Sequence, residues 1–444
     1  MKKLFKMLAV LLPLLLCLLS LTSCGKCRHK ETDWFVEREA TCTVIGKKVQ
    51  KCLKCDEVLD TRDITQGCSY NNGVCMYCGE ARYGNKYLSY REIEMDGMVG
   101  YEVVGRGNCG SVRLEIPTHH NGKPVLAIAA GAFQNDKIIT SLTVGKNVRE
   151  IGASAFAACI NLTSVTFAQG SAVSVLGQGA FKECVALTAF SLPLNVLHIQ
   201  ASLLEGCTAL TDITLHSGLL TIGDNALLSC DALEYKTENG MSFLGTADNP
   251  YFVLMQVERG ALAVSVPADV KIVASGAFSG CTALTEISLP EGVVSLGSYA
   301  FSGCALLASV SLPDTLKSIG DNAFWACTSL TALTLPARVT EIGAYAFKGC
   351  TALAEITLPT ALRSIGEFAF ISTAITEIVL PATLEELGAC AFSACDSLTS
   401  VEFAQQTGWK IRQSATSDMP FDVSNATVNA AALTGAYQTY YWYR

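Results

Sequence analysis

Residues 284–304 read LTEISLPEGVVSLGSYAFSGC, and the spacing of the apolar residues in that phrase decides the fold. Leu284, Ile287 and Leu289 fall on the inner side of a short strand, with Glu286 and Ser288 alternating outward. Pro290 has no N–H to continue a ladder, so the strand stops there. Val294 and Leu296 then turn back to the core, Gly297 permits a tight bend, and Ala300-Phe301 begins a short helical turn that drops the ring inward. Cys304 closes that turn.

The phrase returns along the chain. Its anchor is Phe133, Phe156, Phe181, Leu204, Leu227, Phe278, Phe301, Phe324, Phe347, Phe370 and Phe392, which makes eleven units, and from Phe278 to Phe370 the spacing is 23 residues. Prolines equivalent to Pro290 stand at Pro313, Pro336, Pro359 and Pro381. A self-similar period of roughly 20 to 30 residues marks a solenoid. One unit buries too little apolar surface to offset the entropy of ordering its own backbone, so neighbours share contacts and hydrogen bonds, and both ends need caps.

The run Leu-x-x-Ile-x-Leu-Pro followed by Ile-Gly-x-x-Ala-Phe-x-x-Cys resembles the leucine-rich repeat of the BspA-like bacterial surface proteins, over about residues 86–444. Three other segments resemble that family: GYEVVGRGNCG…IPTHHNGKPV (100–125), YKTENGMSFLGTADNPYFVL (235–254) and the tail ending YYWYR. The resemblance implies a leucine-rich-repeat solenoid of mainly short parallel β-strands with helical or 3-10 turns, about 23 residues per repeat, preceded by a small Cys-rich module. It also implies surface display and adhesion to a protein or glycan ligand on host or other bacterial cells. Leu227 and Phe278 are 51 residues apart, so the interruption reads as a loop or hairpin bulging from an unbroken stack.

The expected organisation is a lipoprotein signal peptide (1–23), a Cys-rich module (24–84), an N-terminal cap (85–127), repeats (128–402) with an insertion at about 231–272, and a C-terminal cap (403–444). Lys2, Lys3 and Lys6 precede an apolar run from Met7 to Leu21 that is short and wrongly flanked for a membrane span. Leu21-Thr22-Ser23-Cys24-Gly25 resembles the lipobox of bacterial lipoproteins, which implies cleavage before Cys24 and a lipid on its thiol. Membrane attachment would then run through Cys24, with the chain exported and anchored at the cell surface.

Net charge is −8, and losing the three leader lysines makes it more negative, which opposes binding to a phosphate backbone; a nucleic-acid partner is not expected. Half the residues are hydrophobic and 16% are charged, a composition for an extensive core.

Cysteines fall into two populations. In the repeats they are Cys159, Cys184, Cys207, Cys230, Cys281, Cys304, Cys327, Cys350 and Cys395; the first unit has Asp136 there, and the tenth reads as having lost its cysteine with a one-residue deletion. Stacked coils would set neighbouring thiols about 5 Å apart, near enough for a disulfide by Cα distance, but with Cβ vectors side by side. A single row offers no tetrahedral set for zinc. These thiols therefore read as small, buried and inert. In the N-terminal module, Cys52-Leu53-Lys54-Cys55 and Cys75-Met76-Tyr77-Cys78 have zinc-ribbon spacing, while export favours disulfides; both remain open. Cys42 and Cys68 precede these pairs and could form a second site with Cys27 or His29.

Catalytic patterning is absent: no Gly-x-Ser-x-Gly elbow, phosphate loop or recurring carboxylate pair stands in the sequence, so no enzyme is expected. His119 and His120 precede the turn signal Asn121-Gly122 and would face opposite ways on a strand; His198 and His216 read as solvated. The outward strand position is Thr143, Thr166, Ser191, Thr214, Ser288, Ser311, Thr334 and Thr357, bordered by Asp212, Glu286, Glu355 and Glu377. That row is either an ordinary solvated sheet face or an extended hydrogen-bonding surface for a protein or glycan. Tyr437, Tyr440, Tyr441, Trp442 and Tyr443 form either a cap over the last repeat or a contact patch. The expected role is a binding platform; its rival is an envelope spacer without a specific ligand.

Overall fold

The computed structural model describes residues 32–38, 46–52, 58–64, 70–71, 74–75, 88–412 and 418–444. The chain forms two compact units, Met1–Lys86 with Cys109–Ser111, and Tyr87–Asn108 with Val112–Arg444. In the first, strands Thr32–Arg38, Gly46–Cys52 and Val58–Ile64 make an antiparallel sheet, and Tyr70–Asn71 pairs with Val74–Cys75.

The second unit is a winding of short segments whose logic one coil displays. Strand Glu286–Ser288 pairs parallel with Ser309–Ser311 of the next coil, in the register Ser288↔Ser311. Ser295–Leu296 lies between Ile272–Val273 and Ser318–Ile319, also parallel. The turn at Ala300-Phe301 forms a third ladder. Ala300, Ser302 and Cys304 N–H bond three residues back, to Gly297, Tyr299 and Phe301 O, whereas Tyr299, Phe301 and Gly303 N–H cross to Asp321, Ala323 and Trp325 O. Left-handed φ at Tyr299 (57°) and Gly303 (74°) stops each helical turn after one bond, which frees the alternate N–H for the neighbouring coil.

Leu284, Ile287, Leu289, Val293, Leu296, Ala300, Phe301 and Cys304 are all buried. The inward valine is Val293 rather than the expected Val294, which is half-exposed. The reason is a turn in which Val293 N–H bonds Pro290 O, rotating the chain one residue earlier. Phe278, Phe301, Phe324, Phe347, Phe370 and Phe392 stack at centroid spacings of 4.6, 5.2, 5.3, 5.3 and 5.2 Å.

Gly297 also differs from expectation in its reason. Its φ is not left-handed, so no bend demands glycine; a Cβ there would collide with Ser275 N of the coil below. Gly320 and Gly343 show the same approach, with 2.6 Å to Ser298 N and Asp321 N. Gln200 occupies this slot in the coil of His198–Ile199. The sheet breaks there: Val175–Leu176 ends one sheet, and His198–Ile199 pairs only with Thr221–Ile222.

The stack is not unbroken at the interruption, contrary to the spacing argument. Strands Lys236–Glu238, Met241–Leu244 and Val253–Val257 form an antiparallel meander, and its last strand, not Thr221–Ile222, pairs with Ile272–Val273. One apolar core then runs from Met241 to Trp442 and stops short of the earlier coils. The earlier coils meet the later ones through a Leu215–Thr246 bridge and two side-chain bonds, Ser275 Oγ to Asp224 Oδ1 (2.6 Å) and Ser295 Oγ to Leu220 O (2.9 Å).

At the leading end, Met98–Gly105 pairs with Ser89–Met95 and feeds Lys123–Ile128, which starts the ladder. At the trailing end, Tyr441–Tyr443 runs antiparallel to Glu386–Leu387 and to Lys410–Arg412, with Trp442 and Trp409 buried. The aromatic tail thus covers the last sheet edge through Trp442, while Tyr441 stays exposed.

Candidate functional site

Two faces of the winding present side chains in rows. On the first, Thr143, Thr166, Ser191, Thr214, Ser288, Ser311, Thr334 and Thr357 are exposed between buried or half-buried neighbours, in the registers Thr143↔Thr166, Ser191↔Thr214, Ser288↔Ser311 and Thr334↔Thr357. Glu286, Glu355 and Glu377 are exposed two residues earlier on their strands. A shallow groove of about 930 Å³ crosses Ser311, Thr334 and Thr357, with Leu335 and Pro336 in its wall. The hydroxyl row ends at Val379, which is 55% exposed.

The turn face was missed by the sequence reading. Two residues before each core anchor, the backbone is left-handed in every coil, and that slot holds Gly131, Ser154, Gly179, Ser202, Asn225 and Gly276 in the early coils. It then holds Tyr299, Asn322, Tyr345, Phe368 and Cys390, with φ of 57, 55, 57, 56 and 56°. A bulky residue in this conformation costs about 1–2 kcal/mol relative to glycine. Trp325 stands on the same face, and it and Tyr299 are each 41% exposed. Tyr345 stacks on Phe368 at 4.8 Å, and Lys348 Nζ lies 5.0 Å from the Tyr345 centroid and 6.0 Å from that of Trp325. The signal was legible as a column: small residues give way to aromatics at one position of consecutive units.

The family model for the BspA-type leucine-rich repeat region matches residues 126–247, 261–341 and 317–430, in six copies and over more than half of the chain. The chain belongs to the BspA-type leucine-rich repeat family. Among solved structures, it is similar to a leucine-rich cell surface protein of Faecalibacterium prausnitzii, 23% identical over 71% of this chain and 93% of that one, with a TM-score of 0.30. It is similar also to a leucine-rich repeat protein of T. pallidum (29% identity, 38% and 82% coverage, TM-score 0.36) and to the pneumococcal vaccine antigen PcpA (19%, 72% and 87%, 0.31). No curated protein matches the chain.

Each cysteine of the BspA-type repeat is placed by its coil rather than by chemistry. All nine repeat cysteines are free and buried. The thiols of Cys159, Cys184, Cys207, Cys304, Cys327, Cys350 and Cys395 donate to the carbonyl of the phenylalanine one coil back, at 3.0–3.3 Å. Burial pushes Cys159, Cys207, Cys304 and Cys350 up to about 12, and Cys184 and Cys327 further, because a thiolate there would lose its water. In the tenth coil Thr373 stands three residues after Phe370, where the cysteine was read as deleted, and its hydroxyl donates to Phe370 O at 2.9 Å. The weak S–H donor is the part of the thiol's role that the sequence reading left out.

Among the described residues, the histidines of this BspA-type chain do not converge. His119 and His120 form a two-residue strand against Lys123–Ile128; His119 is exposed, and His120 stacks on Tyr90 at 3.7 Å. His198 bonds Thr221 Oγ1 (2.9 Å), and His216 is half-buried with Nε2 at 3.0 Å from Val196 O, so it is not solvated as expected. Among the described residues no group of three or more His, Cys, Asp or Glu is placed to hold a metal. Of the zinc-ribbon set, Cys52 and Cys75 end strands, whereas Cys55 and Cys78 lie outside the described residues, as do Cys24, Cys27, Cys42, Cys68 and His29.

Proposed function

We propose that this protein is a non-enzymatic adhesion protein of the bacterial surface, offering its repeat face to a protein or glycan on host or partner cells. The observation that carries the reading is the exposed, in-register hydroxyl row over the groove at Ser311, Thr334 and Thr357. Hydroxyls spaced at coil intervals suit binding by area and complementarity, with many weak hydrogen bonds and no covalent step. A lipid on Cys24 would hold the chain to the membrane, and Cys52, Cys55, Cys75 and Cys78 would staple the module between them, through zinc or disulfides. Intact mass with and without a chelator decides between those two.

The test is binding of the protein to matrix proteins, mucins and bacterial surfaces at physiological salt. Saturable binding to one class, abolished by lysines at Ser288, Ser311, Thr334 and Thr357, is expected. Silence across the panel would leave an envelope spacer as the better reading.

A further inference from the structure

We propose that the turn face around Trp325 is a saccharide site, which takes a terminal pyranose carrying one carboxylate; it names a second site for the adhesion reading above and rests on it. Tyr299 and Tyr345 occupy the same slot two coils apart, with the smaller Asn322 between them. Two coil spacings are about 10 Å, and a pyranose chair against the Tyr299 ring fits that interval with its carboxylate toward Lys348 Nζ, which lies over the Tyr345 face opposite Phe368. Trp325, on the Asn322 coil and 41% exposed, adds an indole beside this notch. Sugar rings present flat C–H faces to such aromatic surfaces while their hydroxyls reach for planar polar groups.

Those polar groups are at hand. The Asn322 carboxamide and the Trp325 indole N–H make no side-chain hydrogen bond to another described residue. Lys348 brings a cation to the same place, held over Tyr345 and Trp325, and no carboxylate among the described residues pairs with it. The nearby carboxylate of Asp321 is turned to the backbone, where Oδ1 accepts Ala344 N–H at 2.7 Å. One unpaired ammonium matches one carboxylate on the ligand. A polyanion is disfavoured by the net charge of −8. In the same left-handed slot glycine, serine or asparagine stands in the coils before Tyr299, and aromatics stand at Tyr299, Tyr345 and Phe368.

The experiment uses the full chain, with sialyllactose and lactose as probes, followed by saturation-transfer NMR and tryptophan fluorescence. Sialyllactose is expected to bind at least about tenfold more tightly than lactose. Trp325→Ala and Lys348→Gln should each weaken it by about tenfold with an unchanged melting temperature. Tyr299→Gly should weaken binding and raise the melting temperature, because it removes a contact and relieves the backbone together; a purely structural tyrosine would not show that opposition. Equal binding of the two sugars, no saturable binding of either, or indifference to Lys348→Gln overturns the inference. If mucin or protein binding persists in Trp325→Ala and is lost on placing lysines along the hydroxyl row, this site fails while the adhesion reading stands.

Discussion

The thiol of Cys327 donates to the carbonyl of Phe301, 3.2 Å away and one coil back, and that carbonyl already accepts the N–H of Cys304 at 3.1 Å. One oxygen therefore links the closing turn of its own coil to the next. Cys327→Ala removes the second bond and leaves a small void, so it should cost about 1–2 kcal/mol in chemical denaturation. Cys327→Thr should fill the void better than alanine without restoring the bond between coils, because the hydroxyl of Thr373 at this position turns to Phe370 O of its own coil. A silent alanine variant would show that the thiol only fills space.

Thiol ionisation gives a pH dependence with a definite sign. Cys159, Cys207, Cys304 and Cys350 rise from 9.0 to about 12 on folding, through loss of hydration. The unfolded chain thus releases these protons first as pH climbs. The stability they contribute is whole below pH 9 and drains away between about 9 and 12. Denaturation midpoints should fall over that window and recover when the pH is lowered. Maleimide should leave the nine repeat thiols untouched at pH 7 until denaturant is added; prompt labelling of the native protein would contradict their burial.

Close approach at the glycine column is testable in both directions. Gly320→Ala forces a methyl to within 2.6 Å of Ser298 N, and a loss of about 2–3 kcal/mol is expected, larger than helix-type propensity would predict. Gln200→Gly should let that coil approach Leu176 and join two sheets, which hydrogen exchange would register as a newly protected amide at residue 200.

The discontinuity between Thr221–Ile222 and Ile272–Val273 divides the winding energetically. Cooperativity in stacked repeats travels through neighbour interfaces, and among the described residues no backbone ladder crosses here apart from the Leu215–Thr246 bridge. Calorimetry of the full chain should show two unfolding transitions. Ser295→Ala, which removes the bond to Leu220 O, should bring the transitions further apart rather than lower both together.

How much was legible follows from range. The period, the inward columns ending in Phe301 and Cys304, and the outward hydroxyls at Ser288 and Ser311 are properties of one coil, written afresh in each repeat. Val293 and Val294 are neighbours of the same type, and only the turn at Pro290 chooses between them. The tenth unit is one residue short, as its 22-residue step from Phe370 to Phe392 requires, but Thr373 keeps the spacing from Phe370, so the missing residue falls after that slot.

Sequence by itself determined that this chain winds, at 23 residues per coil, around a core of aliphatic residues, stacked rings and thiols, because that pattern is local and repeated. Tertiary structure alone decided where the winding breaks and which face carries aromatics. Whether a ladder continues past Gln200 or Ile222 depends on how near two coils can come, a distance no single coil encodes. Tyr299 and Tyr345 point outward because bonds between coils hold their backbone left-handed, and that constraint exists only once the coils are stacked.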